Sequence, residues 1–324
     1  MEALSEFELI DRFFRRPARH AVLGVGDDAA LLAPTSGCEL AVSVDMLVAG
    51  RHFFADVDPE ALGHKALAVN LSDMAAMGAS PRWALLAGAL PNADAAWVGA
   101  FARGFFALAD AYGVDLVGGD TTKGPLNLCV TILGEVPAGQ ALRRRGARPG
   151  DAVFVSGRLG DAALALAHHR QRVILAADEL PQCERALLRP APRVELGDRL
   201  RGIATAAIDI SDGLVGDLSH ILDASGVGAT LELEALPRSA ILNQRLAGDE
   251  RGLALDCLLA GGDDYELCFT APARAAADIG TLAEQLDLAL TRIGGIEERA
   301  GLVVRDENGQ ALRTLPAAFD HFRG

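Results

Sequence analysis

With 324 residues, half of them hydrophobic, the chain is long enough to bury a sizeable core, and its length favours two domains over one. A net charge of −14 excludes nucleic acid as the natural partner, because such binding draws its affinity from basic surface that releases counterions. The five cysteines, Cys38, Cys129, Cys183, Cys257 and Cys268, are odd in number and never spaced as CxxC, which argues against a disulfide framework or a zinc site and for thiols in a reducing compartment.

Residues Glu2 to Arg16 predict an amphipathic helix ended by Pro17, and its acidic start is unlike a secretory signal. No stretch reaches the roughly 18 uninterrupted apolar residues of a membrane span, so a cytoplasmic protein is expected. AVLGVG then predicts a short strand entering a turn at GVGDDAALL, where Asp27 and Asp28 sit side by side. In CELAVSVDMLVAG the alternation predicts a strand with Leu40, Val42, Val44 and Met46 on one face and Ala41, Ser43 and Asp45 on the other. Residues Pro59 to Gly78 have helical apolar spacing, with Pro59 suited to the first turn and Asn70 and Asp73 on one face. A strand at Trp83 to Leu90 and a helix at Ala95 to Tyr112 follow, and DLVGGDTTKGPLNLCVTILGEV reads as strand, glycine loop, strand.

The Gly, Arg and Pro-rich segment Pro137 to Gly150 is the expected boundary, giving domains 1–138 and 139–324. Beyond it come a strand at Ala152 to Ser156, a helix through His168, and a helical region at Pro181 to Leu200. In ATAAIDISDGL, Asp209 faces away from Ile208 and Ile210, and Ser211 and Asp212 stand where a helix N-cap belongs. GGDDYELCF at Gly261 to Phe269 repeats the glycine-to-aspartate turn of GDD and GGD, although no long-range repeat is evident.

Asp27, Asp28, Asp45, Asp73, Asp120, Asp209 and Asp212 each end or interrupt an apolar element. Any one alone reads as a cap or turn residue. If they converge, their mutual repulsion requires cations, and carboxylates without His or Cys partners suit Mg²⁺ or Ca²⁺, ions that bridge to substrate phosphates. The usual phosphate motifs are missing: no GxxxxGK[ST], no GxGxxG opening a helix, and no kinase HRD or DFG set. GDTTKG at Gly119 to Gly124 is a weak substitute, and Arg143, Arg144 and Arg145 are either a solvated linker or a phosphate-facing cation cluster. No nucleophile elbow is present, so acyl transfer has little support.

GVGDDAALL, SVDMLVAGRHF, KALAVNLSDMAAMGA, LVGGDTT, AIDISDGL and GGDDYELCF, in that order, resemble the thiamine-monophosphate kinase family of the PurM-like (aminoimidazole ribonucleotide synthetase-like) ATP-binding superfamily, from Phe7 to Phe322. The resemblance implies a two-domain α/β fold, with an N-terminal sheet forming a barrel across a homodimer and a C-terminal α/β domain. It implies ATP-dependent phosphorylation of thiamine phosphate to thiamine diphosphate, the last step in making that cofactor. By matching motif, Asp28, Ser43, Val44, Asp45, Asp73, Asp120, Asp209 and Asp212 would hold several Mg²⁺ ions, Val44 through its carbonyl. Gly119, Asp120, Arg144 and Ser211 would contact ATP, while His52, Asp263 and Phe319 would line the thiamine phosphate site. Val44, Asp263 and Phe319 depart from the family's usual threonine, glutamate and tyrosine or tryptophan. Another ATP-using enzyme of the superfamily, of the aminoimidazole ribonucleotide synthetase or hydrogenase-maturation type, and a non-catalytic nucleotide or Mg²⁺ sensor remain the alternatives.

Overall fold

The computed structural model describes residues 5–316. They divide into two compact units, one formed by the chain up to Met74 with Ala79–Gly139, the other by Ala75–Gly78 with the chain from Gln140 onward. Phe319 lies outside the described residues.

The first unit runs α1 (Glu6–Phe13), β1 (Ala21–Leu23), β2 (Leu31–Leu32), β3 (Cys38–Val48), α2 (Pro59–Ala76), β4 (Ser80–Leu90), α3 (Ala95–Tyr112), β5 (Asp115–Lys123) and β6 (Asn127–Pro137). Helix α1 begins later than its apolar spacing predicts because Ser5 and Glu8 close a reciprocal capping box. Its sheet has the order β3-β6-β4-β5 and is open within the described chain. The β4–β5 pair is parallel, and α3 supplies the crossover it requires. Leu62, Leu67, Phe101 and Phe105 are fully buried, and each such side chain contributes about 1.5–3 kcal/mol by leaving water. Close approach of the two long helices depends on glycine: a Cβ at Gly104 would lie 1.8 Å from the Glu60 carbonyl, and one at Gly63 2.0 Å from that of Phe101.

The expected glycine loop after LV is not a loop. Gly118 and Gly119 lie inside β5, where the register against β4 slips by one residue and leaves Val117 as a bulge. Gly119 has φ of 151° and a Cβ there would meet the Leu86 carbonyl at 1.8 Å, so the strand continues through a conformation that side chains rarely adopt.

Buried carboxylates tie the first unit's loops to this sheet. Asp115, at the start of β5, accepts the N–H groups of Arg19, His20 and Ala21 at 2.5 to 3.3 Å. Glu135 accepts the Thr35 N–H and hydroxyl at 2.6 and 2.9 Å and the Arg82 guanidinium at 3.2 Å. Burial opposes ionisation of Glu135, yet the Thr35 and Arg82 donors prevail and hold its carboxyl below the ordinary value.

The second unit comprises β7 (Asp151–Ser156), α4 (Asp161–His169), α5 (Leu180–Leu188), α6 (Val194–Leu200), β8 (Ala206–Asp209), α7 (Leu214–Ser225), β9 (Gly228–Glu232), α8 (Ala240–Leu246), α9 (Arg251–Ala260), β10 (Leu267–Pro272), α10 (Ala276–Gln285), β11 (Leu290–Glu297) and β12 (Gly301–Arg305). Its six-stranded sheet has the order β12-β9-β11-β7-β10-β8, antiparallel except for β9 and β12. The helical region read between Pro181 and Leu200 is two helices, because Pro190 and Pro192 interrupt it. Helices α4, α5, α7, α8 and α9 pack a core with Leu164, Leu218 and Leu258 on one face of the sheet, while α10 joins Phe154 and Phe269, stacked at 5.3 Å, in a second core.

Because the folded Glu135 carboxyl titrates below its unfolded value of 4.5, its contribution to stability is full above that pH and is lost as the pH falls through the lower folded value. Glu135→Gln should cost about 1–3 kcal/mol at pH 7, and less in more acidic solution. Urea denaturation at pH 7 and below pH 4.5 checks this, and an equal loss at both would refute it.

Candidate functional site

The GDD turn and the bulged stretch of β5 meet at one cavity. It measures about 650 Å³, has Leu86, Trp97 and Phe101 among its apolar lining, and takes Asp27, Asp28, Gly119 and Asp120 on its polar side. Ile10 of α1 and Phe14, the residue that caps its end, border it. Asp27 accepts the N–H of Asp28 at 2.9 Å, which closes the turn on itself. Both aspartates and Asp120 are exposed. Arg15 also lines this cavity; its guanidinium pairs with Asp11 at 2.8 Å and donates to the Val25 carbonyl at 3.5 Å. Helical periodicity marks Arg15 only as a polar position, so its location here was not legible in the sequence.

On β3 the two faces have unequal surroundings. Ala41, Ser43 and Asp45 are half-buried, and the Ser43 hydroxyl donates to the Asp73 carboxylate of α2. Leu40, Val42, Val44 and Met46 are instead the exposed row, at 44%, 61%, 59% and 54% of their full surface. His52 follows β3, and its Nδ1 accepts the Val48 N–H at 3.0 Å, which fixes the ring at the strand's closing turn.

In the second unit the ISDG and GGDDYE segments are joined backbone to backbone. The Asp263 N–H donates to the Ser211 carbonyl at 2.9 Å, the Tyr265 N–H to that of Ile210 at 2.8 Å, and the Ile210 N–H to that of Glu266 at 2.8 Å. Asp263 and Tyr265 have φ of 66° and 50°, a left-handed backbone that these contacts impose. The Tyr265 hydroxyl donates to the Asp263 carboxylate at 3.1 Å. Glu266, buried, takes a two-pronged contact from Arg193 and the Ser156 hydroxyl at 2.5 Å, while Ser156 accepts the Leu267 N–H at 2.9 Å. Asp264 accepts the Gly160 N–H at 2.9 Å, and burial pushes its carboxyl well above the ordinary range.

The expected N-cap at Ser211 and Asp212 does not form. Helix α7 begins at Leu214 behind Gly213, without a side-chain cap. Asp217, one turn into the helix, takes the N–H groups of Ser211, Asp212 and Gly213 at 3.0, 3.0 and 3.1 Å. A longer side-chain reach from inside the helix replaces the local cap, because the turn directs its N–H groups inward. Burial pushes the Asp217 carboxyl up to about 6, even against these donors. Asp209 is buried, and Ser211, Asp212 and Asp263 are half-buried. Arg144 is exposed; its carbonyl accepts the Ser225 hydroxyl at 3.4 Å.

The sequence-predicted residues therefore fall in both units. Asp28, Ser43, Val44, Asp45, His52, Asp73, Gly119 and Asp120 belong to the first, and Arg144, Asp209, Ser211, Asp212 and Asp263 to the second. The donors are carboxylate, hydroxyl and carbonyl oxygens, the chemistry of a hard cation. Among the described residues no group of three or more His, Cys, Asp or Glu side chains is drawn together tightly enough to hold a metal by itself.

Residues 26–136 match the family described as AIR synthase related protein, N-terminal domain, and residues 148–307 its C-terminal domain. The thiamine-monophosphate kinase of Salmonella typhimurium is 46% identical over 327 residues, covering 99% of both chains. The crystal structure of the thiamine-monophosphate kinase from Stenotrophomonas maltophilia is 48% identical, covers 96% of this chain and 99% of its own, and superposes with a TM-score of 0.85. AaThiL complexed with AMPPCP and TMP is 32% identical over 98% of this chain and 97% of its own, with a TM-score of 0.76. Full-length identity at this level, on a fold that carries the GDD, GGD and SDG segments in the same chain, shows that this chain belongs to the thiamine-monophosphate kinase family.

Proposed function

We propose that this chain transfers the γ-phosphoryl group of ATP to thiamine phosphate, yielding thiamine diphosphate and ADP. The observation that carries the reading is the meeting of the GDD turn and the bulged GGD stretch of β5 at one cavity with an apolar interior and an acidic side. An apolar interior suits a heterocyclic base, and exposed carboxylates suit the cations that accompany a triphosphate.

The acceptor is a phosphate monoester with a second pKa near 6. At neutral pH it is mostly dianionic and already nucleophilic, so the site needs no general base. The reading assigns neither a catalytic base nor a covalent nucleophile, and direct in-line transfer follows. The obstacle is repulsion between two polyanions. Mg²⁺, when bound, supplies the charge neutralisation that lets donor and acceptor approach. Asp28, Ser43, Asp45, Asp73 and Asp120 from the first unit and Asp209 and Asp212 from the second are the proposed ligands, with the Val44 carbonyl. The Ser43–Asp73 hydrogen bond supports this assignment, since it pairs two oxygen donors on adjoining elements.

Gly119, Asp120, Arg144 and Ser211 are proposed to contact ATP, and His52, Asp263 and Phe319 thiamine phosphate. Asp263 is a short carboxylate steadied by the Tyr265 hydroxyl, which suits a fixed polar contact more than a mobile one. Residues 1–138 and 139–324 are taken as the two functional domains of a cytoplasmic enzyme. Among the described residues no helix is long and apolar enough to cross a membrane. A homodimer through β3 is part of the reading: Leu40, Val42, Val44 and Met46 make an exposed apolar row on an edge strand, and leaving such a row in water invites pairing with a second copy.

ADP release measured with thiamine phosphate, with thiamine, and with no acceptor should be fast only with thiamine phosphate and should stop on chelation of divalent cations. Equal rates in all three arms would overturn the reading. Asp73→Asn should lower kcat by roughly two orders of magnitude while circular dichroism stays unchanged. Val44→Asp should shift the protein to monomer in sedimentation velocity, and a Val44→Asp dimer as tight as the parent would remove β3 from the interface.

A further inference from the structure

The N–H groups of Ser211, Asp212 and Gly213 converge on a single oxygen, Asp217 Oδ2, at 3.0, 3.0 and 3.1 Å. Successive backbone N–H groups aimed at one point before a helix form an anion-binding concavity, the arrangement that elsewhere grips phosphate. Here the anion is the protein's own. Asp217 is only 4% exposed, so its carboxylate fills the concavity from within.

Two consequences follow. An incoming phosphate oxygen finds these three donors taken, so the segment meets a nucleotide through the side chains of Ser211 and Asp212. The same turn also faces outward: while its N–H groups point to Asp217, the carbonyls of Ile210 and Ser211 accept the N–H groups of Tyr265 and Asp263 at 2.8 and 2.9 Å. Asp217 thus sits behind a turn that fixes two acid-bearing segments at once, Asp209 to Asp212 and the strained Asp263 to Tyr265 stretch.

We propose that Asp217 is a positioning residue, an internal substitute for phosphate whose carboxylate sets the placement of Ser211, Asp212 and Asp263 for the magnesium nucleotide. This rests on the reading of the site given above, and its test reads binding rather than turnover. Asp217→Asn keeps the shape but sets an amide against three N–H donors, and Asp217→Ala empties the concavity. In calorimetric titration with Mg²⁺ and AMPPCP, both variants should bind at least about tenfold more weakly than the parent. In Asp217→Ala, added formate should restore affinity saturably, whereas it should leave the parent unchanged.

Unchanged affinity in folded variants that are merely less heat-stable would reduce Asp217 to a structural cap and overturn the proposal. If neither variant folds, amide hydrogen exchange on the parent decides. The Ser211, Asp212 and Gly213 amides should be protected together and become more so with Mg²⁺ and AMPPCP; exchange at the rate of an open turn, or protection indifferent to the nucleotide, would refute it. A parent that binds AMPPCP through an Asp217-dependent turn yet ignores thiamine phosphate would refute the proposed reaction and leave this inference standing.

Discussion

A carboxylate taken out of water must find donors inside the protein, and this requirement organises both units. Asp115 collects three backbone N–H groups, Glu135 a threonine and an arginine, Asp217 a whole turn, and Glu266 an arginine and a serine. Three of the four bring together segments far apart in the chain: Asp115 anchors residues 19–21, Glu135 anchors Thr35, and Glu266 joins Ser156 and Arg193, whereas Asp217 gathers its own preceding turn. The acids at the cavity behave differently. Asp27, Asp28 and Asp120 remain exposed, so they stay available to cations and ligand. Asp115, Glu135, Asp217 and Glu266 are buried and build the framework, whereas the three carboxylates lining the cavity face solvent.

Backbone shape does comparable work in β5 and in the Asp263–Tyr265 segment. Val117 bulges and Gly119 adopts a conformation that side chains rarely take, and this irregular stretch of β5 lines the cavity without ending the strand. Asp263 and Tyr265 hold left-handed backbone without glycine's freedom, a cost that neighbouring hydrogen bonds must offset. Strain of this kind persists where the surroundings over-determine it, and it keeps a carboxylate in one orientation.

Strand β3 presents the two demands on a single element. Its polar side, with Ser43 and Asp45, is half-buried beside α2, and its apolar side is bare. The usual arrangement of a half-covered sheet is inverted. The inversion sets Ser43 and Asp45 beside α2 and leaves Leu40, Val42, Val44 and Met46 bare.

The sequence by itself made local features legible: helices α2 and α3, the alternation of β3, and the GDD turn, since periodicity and turn chemistry act over a few residues. It also marked the resemblance through six ordered motifs, to which no single GDD or GGD would suffice. It did not distinguish the faces of β3, because alternation is symmetric and only packing decides which side is covered. It did not find Asp115, Glu135 or Asp217, whose partners are set by the fold, and it took GGDTT for a loop because glycine marks bulges and loops alike. It placed the cap of α7 on Ser211 and Asp212, whereas tertiary structure turned their N–H groups inward to Asp217. In each case burial and hydrogen-bond partnership follow from how the folded chain packs around the residue, whether the partner is near in sequence, as for Asp217, or distant, as for Asp115 and Glu135, and a local pattern carries no record of that packing.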